Sequence, residues 1–515
     1  MPTHAGHRAI AASPITVVVF LALGSAGDVL PLLRLARRFA LALRFPVRFV
    51  THVDLIPLCQ DQRKTPSISG KNPHIDFYSI RTLSTGGLPS SAQDSLSSHS
   101  SPPPDNVDAD PRVTQRRTEQ SAILPACTGA RAIVFNLFCL EGWSVAERMR
   151  VPCVAVSPFL APLGGGDMPE GVTEAVGGAI RDAGTWAAVE HWAWRVFLDD
   201  VGRYREGIGL CADVLCACAS DSDSPVAGEA KSSTKGFSVP PLMYCLSPAV
   251  VAAAGVQLPS GAGLSCVGFL TDEDDEDDDE EEKQDQEEEN VVRNILQQHP
   301  RVIYITFGSM DEMYPALTDA KRAATLLQTV AYSLQLADAH ALWQVASPAS
   351  AVAQAYASQS IASSSASRLL NRITIISSTS HGLLLPHAKI FPRCAGVVHH
   401  GGAGTFHCAL AAGVRQLVVP LMFDQRFWAR VGAHLGVARM CEVDGEFAAW
   451  RDGLHWLAGN GGDDDDDEDD DDEQQREEEA EALARWRELC LQERATLTIA
   501  AAAEQLARHL GLTAL

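Results

Sequence analysis

The sequence predicts an α/β protein of two domains, each a parallel sheet covered by helices, and three observations carry that prediction. The chain has 515 residues, more than a single core of ordinary size holds, and a hydrophobic fraction of 46% that can fill two. Continuous apolar runs bounded by glycine alternate with segments of helical spacing, once from Ile15 to Val156 and again from Val302 to Pro420. Between the two series, Tyr244 to Phe269 is punctuated by Pro and Gly and runs straight into an acidic stretch, the composition of a junction. The boundary is therefore set between 1–250 and 251–515.

In the first series Ile15 to Leu23 reads as a buried strand, Val29 to Leu43 as a helix and Val47 to Thr51 as a second strand, a βαβ unit with a right-handed crossover. Ser67 to Arg117, rich in Ser, Pro and polar residues, reads as a long loop, disordered over about 82–118. A strand at Arg131 to Phe135, a helix through Ala146 and a strand at Cys153 to Val156 follow. Trp186, Trp192, Trp194 and Phe197 suit helices packed on a sheet or lining a cleft. In the second series the strands are Val302 to Phe307, Ala341 to Val345, Ile373 to Ile376, Gly396 to His399 and Leu417 to Pro420. Residues 347–367 read as a low-complexity insert. The last helix spans about Glu477 to Leu510, and its return to the first domain is left open.

The formal charge of −24 is concentrated in two runs, within 271–290 and 463–481, each with fifteen acidic residues and one basic. Such runs repel themselves and bury nothing, so they read as solvated inserts, and the remaining chain is close to neutral. No basic stripe exists, which excludes a nucleic-acid partner. Thirteen cysteines without a C-x-x-C pair argue for reduced thiols and against a zinc site or disulfide framework. His7 and Arg8 before the apolar run imitate a secretory signal, but the run is short, β-branched and followed by a glycine turn. No run reaches the ~20 residues of a membrane span. A cytoplasmic monomer is expected.

The densest chemical signal is Val397-Val-His-His-Gly-Gly-Ala-Gly-Thr405, an apolar strand running into glycines that open a helix. Glycines allow close backbone approach, and the bare N–H groups and positive dipole end of a first turn attract phosphate. His399 at the strand end could add a hydrogen bond or a charge to a leaving diphosphate; two adjacent histidines could equally cap a strand. Asp424 and Gln425 follow the next strand, where they offer hydroxyl-binding groups at the carboxyl end of a parallel sheet. In the first domain Gly24-Ser25-Ala26-Gly27-Asp28 makes the first strand-to-helix turn. It is no dinucleotide fingerprint, and Asp28 is either a general base at a cleft mouth or the N-cap of its helix.

Together these residues resemble the family 1 glycosyltransferases of the sterol and antibiotic-aglycone branch. The likeness lies in GSAGDVLP at 24–31, VIYITFGSM at 302–310, LLPHAKIFPRCAGVVHHGGAGT at 384–405 and ALAAGVRQLVVPLMFDQRFWARVGAHLGVA at 409–438, with weaker likeness at FVTH (49–52) and VFN (134–136). The resemblance implies a GT-B architecture, two Rossmann-like domains facing across a cleft. The first would bind a hydrophobic hydroxyl acceptor such as a sterol, and the second a nucleotide sugar, UDP-glucose at the level of the family. Transfer would be inverting. The resemblance matches Asp28 to a base, with Gly24, Ser25 and Gly27 in its turn. It matches Ser309 to a serine near the phosphates, His399 to a diphosphate-binding histidine, and Gly401, Gly402, Ala403, Gly404 and Thr405 to the cradle. Asp424 and Gln425 match the sugar-hydroxyl pair, and His387 lies in the loop beside the nucleobase. No cofactor or metal is implied, the nucleotide sugar being a co-substrate; a lipid-like acceptor would bring peripheral membrane contact. The sequence departs from the family at Ala26, Leu30, Phe406, Arg415 and Phe423. An epimerase of the nucleotide sugar and a non-catalytic binding module of the same fold are the alternatives.

Overall fold

The structure, a computed structural model, describes residues 16–60, 75–82, 111–159, 201–211, 240–254, 264–270, 286–312, 314–362, 369–377, 387–421, 424–459 and 470–512. Two parallel sheets form its core. The first has the order β3-β2-β1-β4-β5-β6-β7, from β1 (Val17–Leu21), β2 (Val47–His52), β3 (Ile75–Ile80), β4 (Ala130–Asn136), β5 (Cys153–Ser157), β6 (Leu242–Tyr244) and β7 (Leu264–Cys266). The second has the order β10-β9-β8-β11-β12-β13, from β8 (Val302–Thr306), β9 (His340–Val345), β10 (Ile373–Ser377), β11 (Gly396–His399), β12 (Arg415–Val418) and β13 (Ala438–Met440). Both orders reverse beside their first strand, and in an open parallel sheet the crevice at the carboxyl ends of the strands flanking that reversal is where ligands bind. Those strands are β1 with β4, and β8 with β11.

The central strands form because their apolar residues are covered on both faces. Every residue of β1 and of β8 is buried. Helix α1 (Ala26–Leu43) packs Leu32, Leu35, Ala36 and Phe39 on the first sheet. Helices α2 (Pro111–Ala126) and α3 (Glu141–Met149) cover its other face. In the second domain α4 (Ala320–Leu336) and α5 (Ala351–Ala362) lie on one side of the sheet. Helix α6 (Ala403–Ala412) follows β11, and α7 (Gln425–His434), α8 (Phe447–Leu457), α9 (Asp470–Thr496) and α10 (Ile499–His509) complete the chain.

Several expectations change. The loop expected over 67–117 contains β3, and α2 begins within it at Pro111. β3 escapes notice because only Ile80 of its six residues is buried, as befits an edge strand. The insert expected at 347–367 contains the regular helix α5, since Ala is the best helix former whatever its neighbours. The boundary at 250 moves, because β7 pairs with β6 in the first sheet and the first domain runs at least to Cys266. The last helix is two: α9 begins inside the acidic run at Asp470, and α10 starts anew after Thr498, whose side chain caps the Ala501 N–H at 3.2 Å. α10 lies on α1, burying Ala503, Leu506 and Leu510 in the core of the first domain.

The end of the acidic run is not merely solvated. Glu479 accepts from Trp456 Nε1 at 2.7 Å and pairs with Arg415 at 3.4 Å and Arg439 at 3.3 Å, and both guanidinium groups lie over the Trp456 ring. Arg415, one of the departures, thus ties the first half of α9 to the first residue of β12. The first acidic run up to 285, the Trp-rich segment at 186–197 and Phe423 lie outside the described residues. Among the described residues the cysteines are unbridged, no helix is long and apolar enough to cross a membrane, and no His, Cys, Asp and Glu group could hold a metal ion.

Candidate active site

The turn after β1 is built around Gly24. Its φ of +103° suits glycine alone, and a Cβ there would stand 2.7 Å from Asp28 Oδ2. Ser25, and not Asp28, is the N-cap of α1. Asp28 sits in the first turn, where its Oδ2 accepts from the Ser25 N–H at 2.9 Å and from the Ser25 hydroxyl at 2.8 Å. Burial pushes the Asp28 carboxyl up to about 7, against the pull of the two Ser25 donors, and the charge of Asp424 pushes the same way. That last influence crosses from one domain to the other. The exposed Gly27 lies beside it in the same turn. Asn136, at the end of β4, locks the base of the turn by donating to Leu23 O at 2.6 Å and accepting the Leu23 N–H at 3.3 Å.

The second part of the candidate site is the start of α6. Gly401 has φ of +87°, and a Cβ on it would meet Val418 at 2.8 Å and the Gln425 carbonyl at 2.9 Å, so the strand can turn there only as glycine. Gly402 is the N-cap, and the first bond within the helix runs from Phe406 N–H to Gly402 O at 3.0 Å. The amides of Ala403, Gly404 and Thr405 therefore precede the helix ladder, as in every first turn, and Gly404 is exposed. Phe406 does not plug this cradle. It is wholly buried on the far side of α6 against Trp428, with ring centroids 5.4 Å apart.

The two histidines divide their work contrary to expectation. His399 is fully buried; its Nδ1 accepts the Gly401 N–H at 3.1 Å, and its Nε2 is 2.9 Å from Gln416 Oε1. With both nitrogens engaged and burial holding its pKa at about 3, His399 offers a diphosphate neither a charge nor a bond. The imidazole beside the cradle is that of His400. It lies against Gly402 and within 3.5 Å of the Cβ position of Gly308, and its buried Nδ1 has no partner. Burial holds its pKa at about 4, so it is neutral at pH 7.

Ser309 lies in the 3-10 turn Gly308–Glu312 after β8, fixed by Asp311, whose Oδ2 accepts the Ala346 N–H at 3.0 Å. Asp424 caps the entry to α7 and accepts from Trp428 Nε1 at 2.7 Å; Gln425 Oε1 accepts the Leu421 N–H at 2.8 Å. Each of this pair spends an oxygen on shaping its own loop. His387 stacks on Phe391 with centroids 4.6 Å apart, keeps an unpartnered Nε2, and feels the charge of Arg34 from α1. The structure thus groups Ser309, His400 and the 401–405 cradle at the ends of β8 and β11, with Asp424 within electrostatic reach of Asp28. Sequence reasoning missed His400 as the cradle's imidazole and did not single out Asn136 or His52; their only signal was membership of the VVHH, VFN and FVTH strings.

Two parallel-sheet lobes, joined by a junction and a returning C-terminal helix, define the GT-B fold. Solved glycosyltransferases share it over nearly their full length: a UDP-glucosyltransferase from Polygonum tinctorium capable of glucosylating indoxyl superposes with a TM-score of 0.57 at 14% identity, covering 98% of this chain and 100% of that one. The calicheamicin glycosyltransferase CalG4 gives 0.54 at 13% identity, with coverages of 96% and 98%. Residues 380–450 match the family described as erythromycin biosynthesis protein CIII-like, C-terminal domain. The same region is similar to the vancomycin aglycone glucosyltransferase of Amycolatopsis orientalis, 51% identical over 51 residues, which are 10% of this chain and 12% of that one. A sterol 3-beta-glucosyltransferase of Arabidopsis thaliana is 54% identical over 43 residues, 8% and 7% of the two chains. These matches span about a tenth of the relatives' length or less; the relatives and the structural neighbours are glycosyltransferases.

Proposed function

We propose that this chain transfers a hexose from a nucleoside diphosphate sugar to a hydroxyl of a hydrophobic acceptor, with inversion. The observation that carries the reading is a partly buried carboxyl on the first lobe, Asp28, held by the Ser25 donors and raised to about 7 by desolvation, within electrostatic reach of Asp424 on the second lobe, whose sheet also ends in the glycine cradle of α6. Asp28 takes the acceptor proton as the acceptor oxygen bonds to the anomeric carbon and the bond from that carbon to the diphosphate breaks. The departing charge meets the amides and positive dipole end of α6, with a hydrogen bond from neutral His400. UDP-glucose and a sterol or similar aglycone are the substrates that the named relatives favour.

Labelled UDP-glucose and other nucleotide sugars, incubated with pooled sterols, polyketides and flavonoids, test the assignment. Asp28→Asn should lower turnover by about 10²-fold or more while donor affinity stays unchanged. The base must be ionised, so kcat/KM should climb with pH and level off above about 7. An unaltered rate in Asp28→Asn removes Asp28 from the reaction. A sugar altered without acceptor identifies an epimerase, and neither transfer nor donor hydrolysis leaves a binding module.

A further inference from the structure

The turn bearing Asp28 is gripped from beneath by a buried network in the first domain. The Gly24 N–H donates to His52 Nε2 at 3.1 Å, so the imidazole proton sits on Nδ1 and is donated to Thr82 Oγ1 at 3.0 Å. Glu119 Oε1 lies 3.9 Å from the same Nδ1, and Arg116 holds Glu119 at 3.0 Å and Glu141 at 2.7 Å. Arg116 also donates to the carbonyl of Phe138 at 3.1 Å, and the Phe138 ring flanks Gly24. His52 is 3% exposed, Arg116 5%, Glu119 6% and Glu141 0%, so these groups are fixed by one another and not by water. Gly24 is thereby held on both sides, directly under the Asp28 carboxylate and next to the residue whose two donors feed it.

We propose that His52 is a positioning residue for Asp28, acting through the Gly24 amide to keep both Ser25 donors on the carboxylate. The inference rests on reading Asp28 as the base. Its physical content is that the imidazole must be a neutral acceptor at Nε2: a proton there would oppose the Gly24 N–H and release the turn. Burial and the charge of Arg116 lower the His52 pKa, while Glu119 and Asp54 work the other way. Loss of the Gly24 bond frees the turn, weakens the Ser25 donation that stabilises the carboxylate, and raises its titration point.

Two substitutions of similar size separate the nitrogens. His52→Gln keeps an acceptor where Nε2 stands; His52→Asn keeps a polar group near Nδ1 and loses that acceptor. Over pH 5–9, His52→Asn should move the acid inflection of kcat/KM up by about one pH unit and lower the rate about fivefold at pH 7, with donor KM little changed, as expected for loss of about one hydrogen bond to a charged group. His52→Gln should keep the wild-type inflection. Thermal melts across the same pH range, with and without Asp28→Asn, read the carboxyl's titration without turnover. If Asp28→Asn stays active the base assignment fails, and the melts still decide whether His52 holds the carboxyl. Should His52→Asn not fold, Thr82→Val, which removes the group that holds the ring by Nδ1 and lets it turn off the Gly24 N–H, should move the inflection in the same direction by a smaller amount. Equal inflections in His52→Asn and His52→Gln, or none displaced from wild type, overturn the proposal.

Discussion

At the scale of single residues, His399 and His400 show what adjacency conceals. Successive side chains at a strand end point to opposite faces, so one imidazole enters the core between β11 and β12 and the other stays by the cradle. Removing each should have different consequences. His399→Ala leaves Gln416 and the Gly401 N–H unmet in the interior and should cost about 1–3 kcal/mol of stability by denaturant titration. His400→Ala should leave the melt nearly unchanged and weaken nucleotide-sugar binding about tenfold by calorimetry, on the scale of one hydrogen bond to a charged group. Equal losses of stability would show that His400 is structural too. The sequence made the pair conspicuous, because histidines flanked by glycines are unusual. It could not assign the faces, which depend on the partner that Gln416 brings from β12.

At the scale of elements, the strand-to-helix turns were legible because glycine and the apolar runs announce them. Short or half-exposed strands were not: β7 and β13 have three residues each, and β3 buries one of its six. A pattern needs more than one period to be seen. The cradle itself permits a graded prediction. Gly401→Ala forces φ of +87° on a residue with a Cβ and drives it into the Gln425 carbonyl, so stability and donor binding should both fall. Gly402→Ala has ordinary dihedrals and meets the His400 ring, so its melt should fall less than that of Gly401→Ala while donor affinity drops. A Gly402→Ala protein that binds donor like wild type would show that the imidazole and the amides do not act together.

At the scale of the whole molecule, the division into two sheets was plain from the repeated rhythm, but its edges were not. A three-residue strand carried the first domain past its expected boundary. The C-terminal helix then returned to α1, and no local pattern says which sheet an amphipathic helix will cover. Its contribution is measurable: Leu506→Ala removes a fully buried side chain between α10 and α1 and should cost about 2–5 kcal/mol, read as earlier melting of the first domain. An effect below about 1 kcal/mol would mean that α10 is a loosely docked tail.

The chain crosses from lobe to lobe twice, outward near Gly268 and back near Leu497, and a Cβ on Gly268 would stand 3.0 Å from the Leu497 carbonyl. The two crossings touch, so a change in the backbone of one is felt by the other. Any side chain at Gly268 would press on Leu497 and hold a strained φ of +83°, so one small residue keeps both passages of the chain in register.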